Sequence, residues 1–119
     1  MVVGAVPRFA PTRADVLRIL NGHVGRGSAI KASELAYAFG LSDDRHVRQL
    51  IRELIKDGYP IAASVSEPMG YYIVATRAEA DEYMAGLRSR LIEDALRRRD
   101  FKKAAGCWFE PARQMRLKL

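Results

Sequence analysis

The chain has 119 residues, 49% hydrophobic and 29% charged, the balance of one globular domain able to bury about two-thirds of its unfolded surface. One cysteine excludes a disulfide framework, and no Cys/His spacing suits structural zinc. No run reaches the ~18 apolar residues that span a bilayer, and Met1–Val6 is too short, and lacks the basic leader, for a signal peptide. The expectation is a cytoplasmic, reducing location with no membrane contact.

The net charge of +6 is unevenly placed. Residues 1–96 hold 12 Lys/Arg and 12 Asp/Glu, so the whole excess comes from residues 97–119, with 8 basic and 2 acidic. A balanced body with a cationic end points to a polyanionic partner.

Residues 1–11, apolar and carrying Pro7 and Pro11, read as an extended arm. Thr12 is the expected N-cap of a first helix whose apolar face is Val16, Leu17, Ile19 and Leu20, ended by Asn21-Gly22. Gly22, Gly25 and Gly27 make the stretch through His23–Ser28 a loop, with room for a short strand at Ile30. A second helix starts at Ser33, buries Leu35, Ala36 and Phe39, and closes at Gly40. Ser42 is expected to cap a third helix over 42–57, with Asp43 and Asp44 in its first turn. Its apolar stripe is Val47, Leu50, Ile51, Leu54 and Ile55.

The period then changes to two. Residues 59–64 and 71–74 are short β-type runs around the turn Glu67-Pro68-Met69-Gly70, which predicts a hairpin. Thr76 and Glu79 form a capping-box pair for a long helix to about Ala104. The 3–4 spacing of Ala80, Met84, Leu87 and Leu91 then meets Asp94 and Arg98, while Ile92, Ala95 and Leu96 make a second stripe that blurs the register. The divisions are an arm 1–11, a domain 12–75, a long helix 76–105 and a basic, aromatic tail 106–119. The fold class is mainly α with a small β-hairpin.

Several fragments, in order, carry a resemblance: Ser33-Glu34-Leu35-Ala36, Leu41-Ser42, the stripe through Val47, Ile51 and Leu54, Asp57-Gly58-Tyr59-Pro60-Ile61, and Gly70-Tyr71-Tyr72-Ile73. Together they resemble the N-terminal DNA-binding domain of the biotin-protein ligase/repressors and related small bacterial or phage winged-helix regulators. The resemblance covers Ile30–Val74 plus the first helix. It implies a winged helix-turn-helix, to which the long helix from Thr76 is appended, with double-stranded DNA as partner and the helix 42–57 as the reader of the major groove.

With the stripe turned inward, 100° per residue places Arg45, Gln49, Arg52 and Lys56 on the opposite face and Arg48 at its flank. Arg pairs bidentately with guanine and Gln with adenine, so Arg45, Arg48, Gln49 and Arg52 suit base edges and Lys56 a phosphate. The alternative is a solvated charged face. For Asp43 and Asp44 the alternatives are capping and acceptance from cytosine N4. His46 reads as a surface imidazole at the side of this face. Weaker backbone contacts are Lys31 and Ser33 at a helix start, and Ser64, Ser66 and Tyr72 on the wing, with Tyr72 turned away from the third helix and Tyr71 and Ile73 packed on it. The wing departs from basic wings, because no Lys or Arg lies between Ala62 and Thr76 and Glu67 is acidic.

The long helix either packs back on the domain or makes a homodimer through Ala80, Met84, Leu87 and Leu91, doubling the half-sites read. Arg97, Arg98, Arg99, Lys102 and Lys103 are either a solvated helix end or an electrostatic anchor on nucleic acid. For Trp108 and Phe109 beside them the alternatives are stacking on bases and burial against a protein partner or by self-packing, the latter pair being favoured. No nucleophile–base pair, phosphate loop or ligand cluster accompanies Cys107, His23 or His46, so neither an enzyme nor a cofactor is expected. The readings carried forward are a dimeric transcriptional regulator, a phage or plasmid DNA-processing accessory in replication initiation or packaging, and a protein-interaction module.

Overall fold

In a computed structural model describing residues 10–110, Thr12 caps the first helix, α1 (Arg13–Leu20), as its residue type predicts. The Thr12 hydroxyl accepts from the Asp15 N–H at 3.3 Å, and Asp15 accepts from the Thr12 N–H at 2.8 Å, a reciprocal box that satisfies two orphan donors. Those Thr12 bonds, aided by Arg18, hold the Asp15 carboxyl below the usual aspartate range. Of the arm expected over 1–11, only Ala10 and Pro11 lie within the described residues, and Pro11 is buried.

The glycine loop contains one 3-10 turn, Arg26–Ser28, braced by the His23 Nδ1 at 2.7 Å from the Ser28 carbonyl oxygen. The second helix, α2, spans Ala32–Ala38, one residue ahead of Ser33. Gly40, at φ +72°, reverses the chain, and the Leu41 N–H reaches back to the Ala36 carbonyl at 2.9 Å, which closes α2 as a Schellman-type end.

The third helix, α3, spans Arg45–Lys56 rather than 42–57, and Ser42 does not cap it. Asp43 Oδ1 accepts from the Arg45 N–H at 3.0 Å instead; that local carboxylate turn competes with helix and delays its start. Val47, Leu50, Ile51 and Leu54 are buried with Val16 and Leu20 of α1 and Leu35 and Ala36 of α2. Each large side chain so enclosed contributes roughly 1.5–3 kcal/mol. Ile55 does not join them and is 46% exposed, because it lies a further 100° around the helix from Leu54, off the side that faces α1 and α2. Arg13 fastens α1 to the end of α3, its Nη1 donating to Asp57 Oδ2 at 2.9 Å.

Strands β1 (Ile61–Ser64) and β2 (Gly70–Ile73) pair antiparallel, with Ile61 opposite Ile73 and Ala62 opposite Tyr72. Two single-residue bridges widen this ribbon: Ile30 pairs antiparallel with Tyr71, and Val24 parallel with Ile73. Alternation sends Ile61, Tyr71 and Ile73 onto the helical core. Tyr72 is where expectation fails. It points away from α3, but its side chain is buried at 3% exposure, among Arg26, Glu79, Glu82 and Tyr83. Burial, then the neighbouring Glu79 charge, pushes its phenol above the usual tyrosine range.

The last helix, α4, spans Arg77–Trp108 and runs past Ala104 and through Gly106, since one interior glycine costs a helix only about 1 kcal/mol. Gly106–Trp108, assigned to the tail, are therefore helical; residues 111–119 lie outside the described residues. The Thr76 hydroxyl accepts from the Glu79 N–H at 3.1 Å. The reciprocal half of the capping box is not made. Glu79 accepts instead from the Ala75 N–H at 2.9 Å and the Arg26 N–H at 3.0 Å. Tyr72 and Glu79 thus join the start of α4 to the hairpin and the glycine loop.

The protein is mainly helical, with a two-stranded antiparallel hairpin and a long C-terminal helix. It divides into two compact units, one ending at Tyr83 and the other beginning at Met84. Among the described residues no helix is long and apolar enough to cross a membrane.

Candidate functional site

The outer face of α3 follows from its inner one. Burying Val47, Leu50, Ile51 and Leu54 leaves Arg45, Arg48, Gln49, Arg52 and Lys56 exposed. Among the described residues, Arg45, Arg52 and Lys56 make no ion pair. The two acids near the end of α3, Glu53 and Asp57, lie 4.0 and 2.9 Å from Arg13, so a cation of α1 offsets them.

Arg48 is held differently. Its Nε lies 3.1 Å from Asp44 Oδ2, and its Nη1 donates to the Tyr71 hydroxyl at 3.2 Å, with the guanidinium 6.0 Å from the Tyr71 ring centre. The bond to Asp44, followed by Tyr71, raises the guanidinium above its ordinary value. Two of its five donors are used and three remain. Asp43 and Asp44 therefore have local structural partners, Arg45 N–H and Arg48. His46 is half-buried, not at the surface, with Nε2 3.3 Å from the Pro11 carbonyl oxygen.

Beside Arg48 lies a groove of about 450 Å³ between the start of α2, the start of α3 and the hairpin. Its polar lining is Lys31, Ser33, Asp44, Arg48, Ser64 and Tyr71, and Val65 and Met69 supply an apolar rim. Four residues singled out from the sequence, Lys31, Ser33, Arg48 and Ser64, thus come together. Two cations and three hydroxyls, of which Ser64 is spent on the Ser66 carbonyl oxygen, against one carboxylate suit an oxygen-rich anion. Of the main-chain N–H groups at the start of α2, that of Lys31 is occupied, because Glu34 accepts from it at 2.9 Å.

Two other wing residues are placed elsewhere. Tyr72 is enclosed and offers no donor to the groove. Ser66 does not line the groove; its hydroxyl accepts from the Arg26 guanidinium, and its carbonyl accepts from the Ser64 hydroxyl at 2.8 Å. Sequence reasoning missed Arg26, which also lies 3.9 Å from Glu82. No local signal marks it, because its partners lie 40 or more residues away. Asp44 and Arg48, at i and i+4, were detectable as a pair.

On α4, Arg97, Arg98, Arg99, Lys102 and Lys103 are all exposed. Arg97 lies 3.3 Å from Asp94, and Arg99 lies 3.2 Å from Asp100. Met84, Leu87 and Leu91, placed from the sequence in a dimer seam, are 54%, 44% and 70% exposed, whereas Ala80 is half-buried in the first unit. The chain matches no family model, no curated protein and no solved structure.

Proposed function

We propose that this chain binds double-stranded DNA as a winged-helix transcriptional regulator, laying the outer face of α3 in the major groove. The observation that carries the reading is the coincidence of exposed, unpaired Arg45, Arg52 and Lys56 on one helix face with the adjoining cationic groove at Lys31 and Arg48. A groove about 12 Å wide admits one helix. Arg45, Gln49 and Arg52 address base edges, Lys56 addresses a phosphate, and Lys31, Ser33 and Arg48 fix the adjacent backbone, the Ser64 hydroxyl being spent on the Ser66 carbonyl oxygen. The cations of α4 add a sequence-independent attraction.

A second reading, a protein-interaction module, is favoured by one observation. The hairpin tip presents Val65, 76% exposed, beside Glu67, and has no Lys or Arg of its own. Duplex binding by fluorescence anisotropy between 50 and 200 mM salt separates the two. The DNA reading expects affinity to fall steeply with salt, and Arg45→Ala with Arg52→Ala to remove discrimination between sequences. Absence of binding at 50 mM, or unchanged discrimination in the double variant, contradicts it.

A further inference from the structure

We infer that the Met84–Trp108 segment of α4 pairs with a second copy of itself as an antiparallel coiled coil, in a register set by Asp94 and Arg98. The inference concerns this helix alone and stands whether or not α3 binds DNA. Because helix continues to Trp108, the 3–4 spacing of Met84, Leu87 and Leu91 extends through Asp94, Arg98, Phe101, Ala105 and Trp108 on the same face. The spacing never breaks; only its chemistry changes in the middle. Phe101 and Trp108 are 72% and 55% exposed, so both apolar ends of the seam are bare among the described residues.

Charge selects the orientation. A parallel, in-register pair sets Asp94 against Asp94 and Arg98 against Arg98 in the seam, where like charges oppose association. In an antiparallel pair centred at Leu96, Asp94 of each copy meets Arg98 of the other. The same register sets Leu91 against Phe101, Leu87 against Ala105 and Met84 against Trp108. Every apolar residue from Met84 to Trp108 in the seam then faces an apolar residue, and every charge faces its opposite. A seam with two central ion pairs associates less tightly than an all-apolar one but is strict about register. The two Met84 residues lie about 36 Å apart along the axis.

The flanks are cationic, with Arg88, Arg90, Arg97 and Lys102 beside the seam. Their repulsion is screened by salt, whereas the enclosed pairs are screened less. Self-association is therefore expected to strengthen between 50 and 300 mM salt, opposite in sign to DNA binding.

The test is sedimentation equilibrium of the full chain, without DNA, followed by cross-linking. In a Cys107→Ser background, chains carrying Leu87→Cys are mixed with chains carrying Ala105→Cys and oxidised. The antiparallel register expects the mixed 87–105 disulfide, identified by mass. Predominant 87–87 and 105–105 disulfides overturn it, as does a wild-type chain that is monomeric at 100 μM. Asp94→Arg is expected to weaken the dimer at least about a hundredfold. Asp94→Arg with Arg98→Asp is expected to restore it with unchanged helix content by circular dichroism. Failure of that swap to recover the dimer while helix content is retained also overturns the register.

Discussion

Arg48 and Asp44 stand one helical turn apart and close on each other, Nε to Oδ2 at 3.1 Å, at the mouth of the groove beside α3. The carboxylate fixes the guanidinium in place and offsets part of its charge. Under the DNA reading, Asp44→Asn removes a negative charge from the phosphate side and releases Arg48. Duplex affinity at 100 mM salt is expected to rise several-fold, with the salt slope steeper by about one. The loss of an i,i+4 pair costs only about 0.3–0.5 kcal/mol of stability. Anisotropy titrations check the sign, and a fall in affinity refutes the role given to Asp44.

Gly70 is required by its surroundings. At φ +131° it lets β2 pass the backbone of Ile30 and Lys31, where an added Cβ would meet the Ile30 carbonyl and come within 2.7 Å of the Lys31 nitrogen. Gly70→Ala is expected to cost about 1–3 kcal/mol, read by urea unfolding. Gly27→Ala, where a Cβ meets nothing within 4 Å, is the control, expected within about 0.5 kcal/mol of wild type.

Glu79 gives stability a pH dependence. The N–H groups of Ala75 and then Arg26 favour its charged form and hold the carboxyl below the usual glutamate range. A group depressed in the folded state stabilises fully above its unfolded value, about 4.3 for glutamate, and loses that contribution as pH falls through its folded value. Glu79→Gln is therefore expected to lower the thermal midpoint at pH 7, with the gap from wild type closing as the pH drops below about 4. A gap that widens on acidification contradicts the clamp.

How far the sequence could be read depended on the range of the interaction. Thr12 as a cap, Gly40 as a helix end and the Val47–Leu54 stripe are local matters of spacing and side-chain chemistry, and the structure shows each of them. The exposed set from Arg45 to Lys56 follows from the same periodicity. Tyr72 was misjudged because strand alternation shows only that a side chain faces away from the core. It cannot show that Glu79 and Tyr83 of the following helix would enclose that second face. The delayed start of α3 turned on a choice between neighbours, Ser42 or Asp43, that composition does not rank. The helix expected to end near Ala104 continues through Gly106 to Trp108, because a single glycine is too weak a penalty to end a helix.

The cations at 97–103 have a separate signature. Replacing Arg97, Arg98, Arg99, Lys102 and Lys103 by glutamine is expected to weaken binding to all duplexes by a common factor and flatten the salt dependence. Titrations against two unrelated duplexes measure it; loss confined to one of them rules out a purely electrostatic anchor.

The most direct test of the central claim is selection of binding sites from a random duplex pool by the full-length protein, repeated with Gln49→Ala and Arg52→Ala. The account predicts a recurrent sequence for the wild type, and loss of preference at particular base pairs of that sequence in the variant, with folding preserved. A wild-type pool that shows no enrichment, or a variant that selects the same sequence with the same stringency, would contradict it.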